Sequence, residues 1–195
     1  MRLAIVENDP VMLDSLETLF SENPEISVVG TYASSEEALL SLRRTSPEIM
    51  IVDLGLPGRS WLELIQQAKR DVPGIDIIAH ALFEETDTLL SAIRAGASGY
   101  LLKGAGADDL IDAVRGLRTG RAKMSPSVAQ RFIREFQKYD ACGPYALTGT
   151  QRAVVSLKAE GRSCREIADQ SGLSLHDVEA CFKSIYVKAQ IRNWH

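Results

Sequence analysis

Ile49-Met50-Ile51-Val52-Asp53-Leu54-Gly55-Leu56-Pro57-Gly58 decides the fold of this chain. Four apolar residues without polar alternation run into a carboxylate, and Gly and Pro then break the run. A short continuous apolar stretch of this kind reads as a strand covered on both faces, and the Asp then stands at its carboxyl end. The same pattern recurs outward in both directions. Arg2–Val6 leads into Glu7, Asn8 and Asp9, Ile75–His80 into Ala81, and Gly99–Leu102 into Lys103, with Ile26–Thr31 as a fifth strand. Helical faces lie between and after these runs. Val11, Leu13, Leu16, Leu19 and Phe20 form one, Leu62, Ile65 and Ala68 a second, Leu89, Leu90, Ile93 and Ala97 a third, and Leu110, Ile111, Val114 and Leu117 a fourth. Strands alternating with helices predict an α/β domain over residues 1–123, a five-stranded doubly wound parallel sheet built from βαβ units.

The rest of the chain is helical. Ser125-Pro126 opens a helix with Val128, Ala129, Phe132, Ile133 and Phe136 on one side, and Tyr139–Ala146, with Gly143-Pro144, reads as a hinge. Residues 124–146 are therefore a linker helix and hinge. From Leu147 to His195, Thr148 or Thr150 caps a first helix and Gly161 ends it. Ser163 caps a second that Gly172 ends, and Ser174 caps a third. Two short helices about a Gly turn describe a helix-turn-helix.

Charge divides along the same boundary. The chain's 195 residues carry a formal net charge of −4, but residues 1–123 hold 12 Lys and Arg against 19 Asp and Glu, and residues 124–195 hold 10 against 7. An acidic part followed by a mildly basic one predicts two domains with different partners. At 45% hydrophobic and 25% charged, the composition excludes disordered, collagenous and coiled-coil classes. The longest apolar run, around Ile75–Leu82, is interrupted by Asp76 and His80 and falls short of the roughly 20 residues that span a bilayer. Met1–Glu7 turns acidic too early for a secretory signal. Cys142, Cys164 and Cys181 form no CxxC pair, the usage of a reducing cytoplasm rather than of a disulfide or zinc framework.

Ligands of open parallel sheets bind outside the carboxyl ends of the strands. There this chain places Glu7, Asn8, Asp9, Asp53, Ala81 and Lys103. Carboxylates with one lysine suit a hard divalent cation and a phosphoryl group, and an Asp among them can act as a phosphoryl acceptor. A second reading of Glu7-Asn8-Asp9 is a turn capping the first helix. His80, at the end of a buried strand, is expected to be a satisfied core residue without a role.

These residues resemble a known family. Val6-Glu7-Asn8-Asp9-Pro10, Val52-Asp53-Leu54 with Pro57-Gly58, and Ala95-Gly96-Ala97-Ser98-Gly99-Tyr100-Leu101-Leu102-Lys103 resemble the receiver domain of two-component response regulators. Leu147-Thr148, Glu160-Gly161, Glu166-Ile167-Ala168, Val178 and Arg192-Asn193 resemble the LuxR-type helix-turn-helix, in the order of NarL/FixJ-type regulators. The resemblance implies that Asp53 is the phosphoacceptor, that Lys103 contacts the phosphoryl group and that Tyr100 is the aromatic switch residue. It also implies weak Mg²⁺ binding by Glu7, Asn8, Asp53 and the Gly55 carbonyl. A sensor histidine kinase would donate the phosphoryl group, and the receiver would pair as a homodimer.

Three positions depart from the family pattern. Asn8 stands for the second acidic residue and removes a full charge from the metal seat. Ala81 stands for the Thr or Ser whose hydroxyl meets the phosphoryl group, and Trp61 stands where Gly is usual. In the second module a recognition helix from about Leu175 to Lys188 turns Val178, Phe182, Ile185 and Ala189 inward. His176, Asp177, Glu179, Ala180, Lys183, Ser184 and Lys188 face outward. Double-stranded DNA would be met by His176, Glu179, Lys183, Lys188 and Arg192, with Arg162 and Arg165 from the preceding helix. Asp177 and Glu179 are acidic where relatives carry other residues.

The sequence thus reads as a DNA-binding transcriptional regulator whose receiver depends weakly or not at all on Asp53 phosphorylation. The alternatives are an ordinary phosphorylation-switched regulator and a protein-interaction adaptor without a DNA site. An enzyme using Asp53 as nucleophile lacks an accompanying general acid.

Overall fold

The computed structural model describes residues 1–82, 86–138 and 146–191. Five parallel strands, β1 (Arg2–Val6), β2 (Ser27–Tyr32), β3 (Ile49–Asp53), β4 (Asp76–Ala81) and β5 (Gly99–Leu102), form one sheet in the order β2-β1-β3-β4-β5. Helices α1 (Pro10–Ser21), α2 (Ser35–Thr45), α3 (Ser60–Asp71), α4 (Thr86–Ala95) and α5 (Ala107–Arg118) connect and follow the strands, so each strand points the same way. The apolar runs are buried on both faces: all of β3 and nearly all of β1 and β4 are shielded from solvent. Strand order reverses between β1 and β3, the place where such sheets open a crevice.

The register sets the row of residues at that crevice. Val6 lies opposite Val52, Asp53 opposite His80, and His80 opposite Leu101. Glu7, one residue past Val6, therefore stands level with Asp53 across the switch point. Asp9 caps α1, its carboxylate accepting from the Val11 and Met12 amides at 2.9 and 3.3 Å, and Pro10 takes the first helical position. The capping reading thus holds for Asp9, while Glu7 turns inward.

The helical part consists of α6 (Pro126–Lys138), α7 (Gly149–Ala159), α8 (Cys164–Ser171) and α9 (Leu175–Ile191). Thr148 with Gln151 and Ser163 with Glu166 form reciprocal capping boxes, and Gly172, at φ 65°, closes α8. The recognition helix extends three residues past the expected Lys188. Helix α6 packs along α7, and the Phe132 ring meets Tyr186 of α9 edge-on at a centroid distance of 5.3 Å. Most of Tyr139–Ala146, the hinge expected from Gly143-Pro144, lies outside the described residues, as does Arg192.

Helix α9 lies against the α/β domain at the amino-terminal end of its strands. Lys183 Nζ donates to Asp76 Oδ2 at 2.9 Å and to the Leu117 carbonyl at 3.0 Å. Arg121 donates to Glu179 Oε2 at 3.1 Å, the Ala122 amide to the Glu179 carbonyl at 3.1 Å, and Gln190 to the Ala97 carbonyl at 2.7 Å. Asp76 begins β4 and Ala97 just precedes β5, so this seam and the crevice occupy opposite ends of the sheet. A six-residue strand separates them, about 17 Å.

Candidate functional site

Three strands deliver the polar core of the crevice. Glu7 follows β1, Asp53 ends β3 and His80 is the penultimate residue of β4; their exposures are 1%, 1% and 2%. Lys103 arrives from the end of β5, its amide bonded to the Ala81 carbonyl at 2.8 Å. Its ammonium lies 2.8 and 2.7 Å from the two Glu7 oxygens and 2.9 Å from Asp53 Oδ1. Asp53 Oδ1 also accepts from the Gly55 amide at 2.8 Å, and Glu7 Oε1 from the Asp9 amide at 3.1 Å. A Cβ added at Gly55 would stand 3.1 Å from Asp53 Oδ2, a tight approach to which the carboxylate would have to give by a few tenths of an ångström.

Burial and charge set the protonation states. Burial pushes the Glu7 carboxyl above its ordinary range and the Asp53 charge adds to this, against the Lys103 hydrogen bond, which lowers it. For Lys103 burial acts downward, but the bonds to Glu7 and Asp53 outweigh it and hold the ammonium above its ordinary value. His80 is pushed down to about 4 by burial and by the Lys103 charge, against Asp53, and is a neutral imidazole at pH 7.

His80 departs from its expected place as a satisfied core residue. It is buried, but Nδ1 has no hydrogen-bond partner, and Glu7 Oε2 lies 4.0 Å from it. Asp53 Oδ2 is likewise buried without a partner. Sequence reasoning passed His80 over because a strand-end histidine is usually packing. Its position directly across from Asp53 in a parallel register was the available signal. Tyr100 is buried in β5, in register with Ala79, and Ala81 presents a buried methyl group where a hydroxyl was looked for. Trp61 is buried on α3 with Leu64, Ile65 and Ala68.

The resemblance implies Mg²⁺ in this crevice, and the donor set fits that ion poorly. Mg²⁺ takes near-octahedral oxygen ligands and gathers charge from carboxylates. Here both Glu7 oxygens are on Lys103, Asn8 is exposed and uncharged, and Asp53 Oδ2 is the one free carboxylate oxygen at the centre. Among the described residues no group of three or more His, Cys, Asp or Glu side chains stands assembled to hold a metal.

In the helical module the expected DNA residues are distributed unevenly. Arg165 and His176 are exposed on α8 and at the start of α9, while Arg162, expected on the second helix, is exposed in the turn just before the Ser163 cap. Glu179 and Lys183 are bound to the α/β domain, and Lys188 donates to the Ala146 carbonyl and Gln151 Oε1 at 2.7 and 2.8 Å. Asp177 accepts from the Ser174 hydroxyl and amide at 2.6 and 3.2 Å, which identifies this acid as part of a helix cap.

Carboxylates and a lysine at the strand ends of a β2-β1-β3-β4-β5 sheet, joined to a helix-turn-helix module, define a receiver with an effector domain. The chain belongs to the response regulators: the description "Response regulator receiver domain" matches residues 3–115. Among its relatives, Response regulator GacA of Pseudomonas protegens is 27% identical over 98% of this chain and 90% of its own. Transcriptional regulatory protein DesR of Bacillus subtilis is 26% identical over 97% and 90%. A LuxR-family two-component response regulator from Aurantimonas superposes with a TM-score of 0.62 at 30% identity, covering 69% of this chain and 96% of that one. RcsB in a structure described as an RcsB–DNA complex superposes with a TM-score of 0.60 at 24% identity, covering 99% and 93%. The arrangement is of NarL/FixJ type. No helix among the described residues is long and apolar enough to cross a membrane.

Proposed function

We propose that this response regulator binds double-stranded DNA through α8 and α9 and that its receiver depends weakly or not at all on phosphorylation of Asp53. The observation that carries the receiver half is the closure of the pocket on itself. Lys103 bridges Glu7 and Asp53, the position that should complete the metal seat is an exposed Asn8, and Ala81 offers no hydroxyl to a phosphoryl group. Without metal charge and that hydroxyl, an acyl phosphate at Asp53 would gain little to reorganise the domain.

The DNA half rests on the capped helix pair with Arg162, Arg165 and His176 on its outer side, and on the DNA-bound relative named above. Lys183 and Glu179, turned to the receiver, become available when the seam opens. A sensor histidine kinase as phosphodonor and a receiver-mediated homodimer belong to the same reading. The test compares wild type with Asp53→Ala on a selected DNA fragment at fixed salt, since phosphate contacts make affinity salt-dependent. Equal affinity, unchanged by beryllofluoride, supports the reading; loss in the variant restores an ordinary phosphorylation switch.

A second reading, an adaptor without a DNA site, is favoured by the engagement of Glu179, Lys183 and Lys188 inside the chain. It predicts no DNA affinity in wild type and new affinity in Glu179→Lys.

A further inference from the structure

A cavity of about 440 Å³ opens at the amino-terminal end of the sheet, away from the receiver crevice. It is lined by the turns that lead into β3 and β4, by the end of α5 and by Lys183 of α9, and its size is that of a small-molecule site. Buried Ile75 and Leu117 with half-buried Val72 supply its apolar part. The α/β domain is acidic, with 12 Lys and Arg against 19 Asp and Glu over residues 1–123, but here the balance reverses. Glu48 and Asp76 are the carboxylates of the lining, and Arg118 and Lys183 its cations. Three more cations stand close by. The amino terminus is 4.0 Å from Glu48, and the Arg2 guanidinium donates to the carbonyl of Ser46, a lining residue, at 3.3 Å. Lys69 donates to the Ile75 carbonyl at 2.6 Å; burial and the Lys183 charge, against Asp76, hold its ammonium below the ordinary value.

We infer that this cavity binds a small organic carboxylate with an apolar body, its charge on Arg118 and Lys183 and its body against Val72, Ile75 and Leu117. The count of donors carries the choice of an anion. An ammonium has three N–H donors and a guanidinium five. Lys183 spends two, on Asp76 Oδ2 and the Leu117 carbonyl, and Arg118 gives Glu48 one, from Nη1. Both cations keep donors unspent, whereas both oxygens of Glu48 are taken, one by Arg118 and one by the Arg2 amide. A cationic ligand therefore meets an occupied acceptor and an excess of like charge. A carboxylate meets open donors, one of them a planar guanidinium that matches its geometry. Since Arg118 belongs to the receiver and Lys183 to α9, a ligand held by both fastens the helical module to the α/β domain. This goes beyond the regulatory reading and stands whether or not α9 meets DNA.

The test is a calorimetric titration of the full-length protein with phenylacetate. Three related probes separate its parts: phenylacetamide keeps the body without the charge, phenethylamine reverses the charge, and acetate keeps the charge alone. The inference expects one phenylacetate bound per chain at millimolar concentration or below, the amide and the amine at least tenfold weaker, and no displacement by acetate in equal amount. Arg118→Gln, at an exposed position, should weaken binding at least tenfold. Lys183→Gln should do the same, because the site spans both domains. Val72→Phe, which fills the cavity and keeps the turn apolar, should abolish binding. Four results would overturn it: no saturable binding, equal affinity for the amide, displacement by equal acetate, or unchanged affinity in either Gln variant.

Discussion

Lys103→Met removes the one cation that two buried carboxylates share. Its ammonium lies 2.7 and 2.8 Å from the Glu7 oxygens and 2.9 Å from Asp53 Oδ1, and both acids are 1% exposed. Breaking a buried pair by deleting one partner costs about 3–5 kcal/mol, because the charge left behind is neither solvated nor compensated. For a chain of this size that corresponds to a melting temperature lower by about 6–20 °C. The sign of the pH dependence follows from Glu7. Its folded pKa already lies above the unfolded value, through burial first and Asp53 second, and loss of the Lys103 hydrogen bond raises it further. A group raised in the folded state favours folding below its unfolded pKa and loses that contribution as pH rises through the folded one. The defect should therefore be larger at about pH 8 than at about pH 5, since lowering the pH moves Glu7 toward its protonated form. Urea unfolding at both values, followed by the fluorescence of the buried Trp61, measures it. A loss under about 1 kcal/mol, or one equal at both pH values, would refute the claim that Lys103 neutralises the pocket.

Asp76→Ala combined with Arg121→Ala cuts both side-chain ties from the receiver to Lys183 and Glu179. The four side chains are partly exposed, so the pair of ties is worth about 1–2 kcal/mol, and DNA affinity should rise about 5–30-fold in an equilibrium binding assay. No change would remove the seam from the regulatory account. Phe132→Ala should destabilise the helical module by about 3–5 kcal/mol in urea unfolding, since this fully buried ring joins α6 to Tyr186. Thr148→Ala, which breaks the capping box of α7, should cost about 1 kcal/mol in the same assay.

The sheet was legible because each buried strand is a short apolar run that stops at a polar or turn residue. Asp53 and Lys103 could be placed at the crevice before any contact was known. Helix ends were legible where local chemistry decides them, as at Thr148, Ser163 and Gly172. What escaped is non-local. Lys183 and Asp76 are 107 positions apart, Arg121 and Glu179 are 58 apart, and no periodicity links them. Asp177 and Glu179 looked alike on an outward face, yet one caps its own helix and the other ties α9 to the receiver. His80 was misread as satisfied packing because satisfaction depends on what surrounds a side chain. Its unmet Nδ1 follows from which strand lies beside β4, a fact of topology. Phe132 was placed correctly on an apolar helix face, but that this face covers α7 and Tyr186 required the fold.

The central claim is that this regulator reads DNA without a phosphoryl group on Asp53. It is tested most directly by selecting genomic DNA fragments with the purified, untreated full-length protein at fixed moderate salt. Enrichment of a few fragments sharing one sequence motif, unchanged when beryllofluoride is added, is the predicted result. Enrichment that appears only with beryllofluoride would contradict it and make Asp53 an ordinary switch.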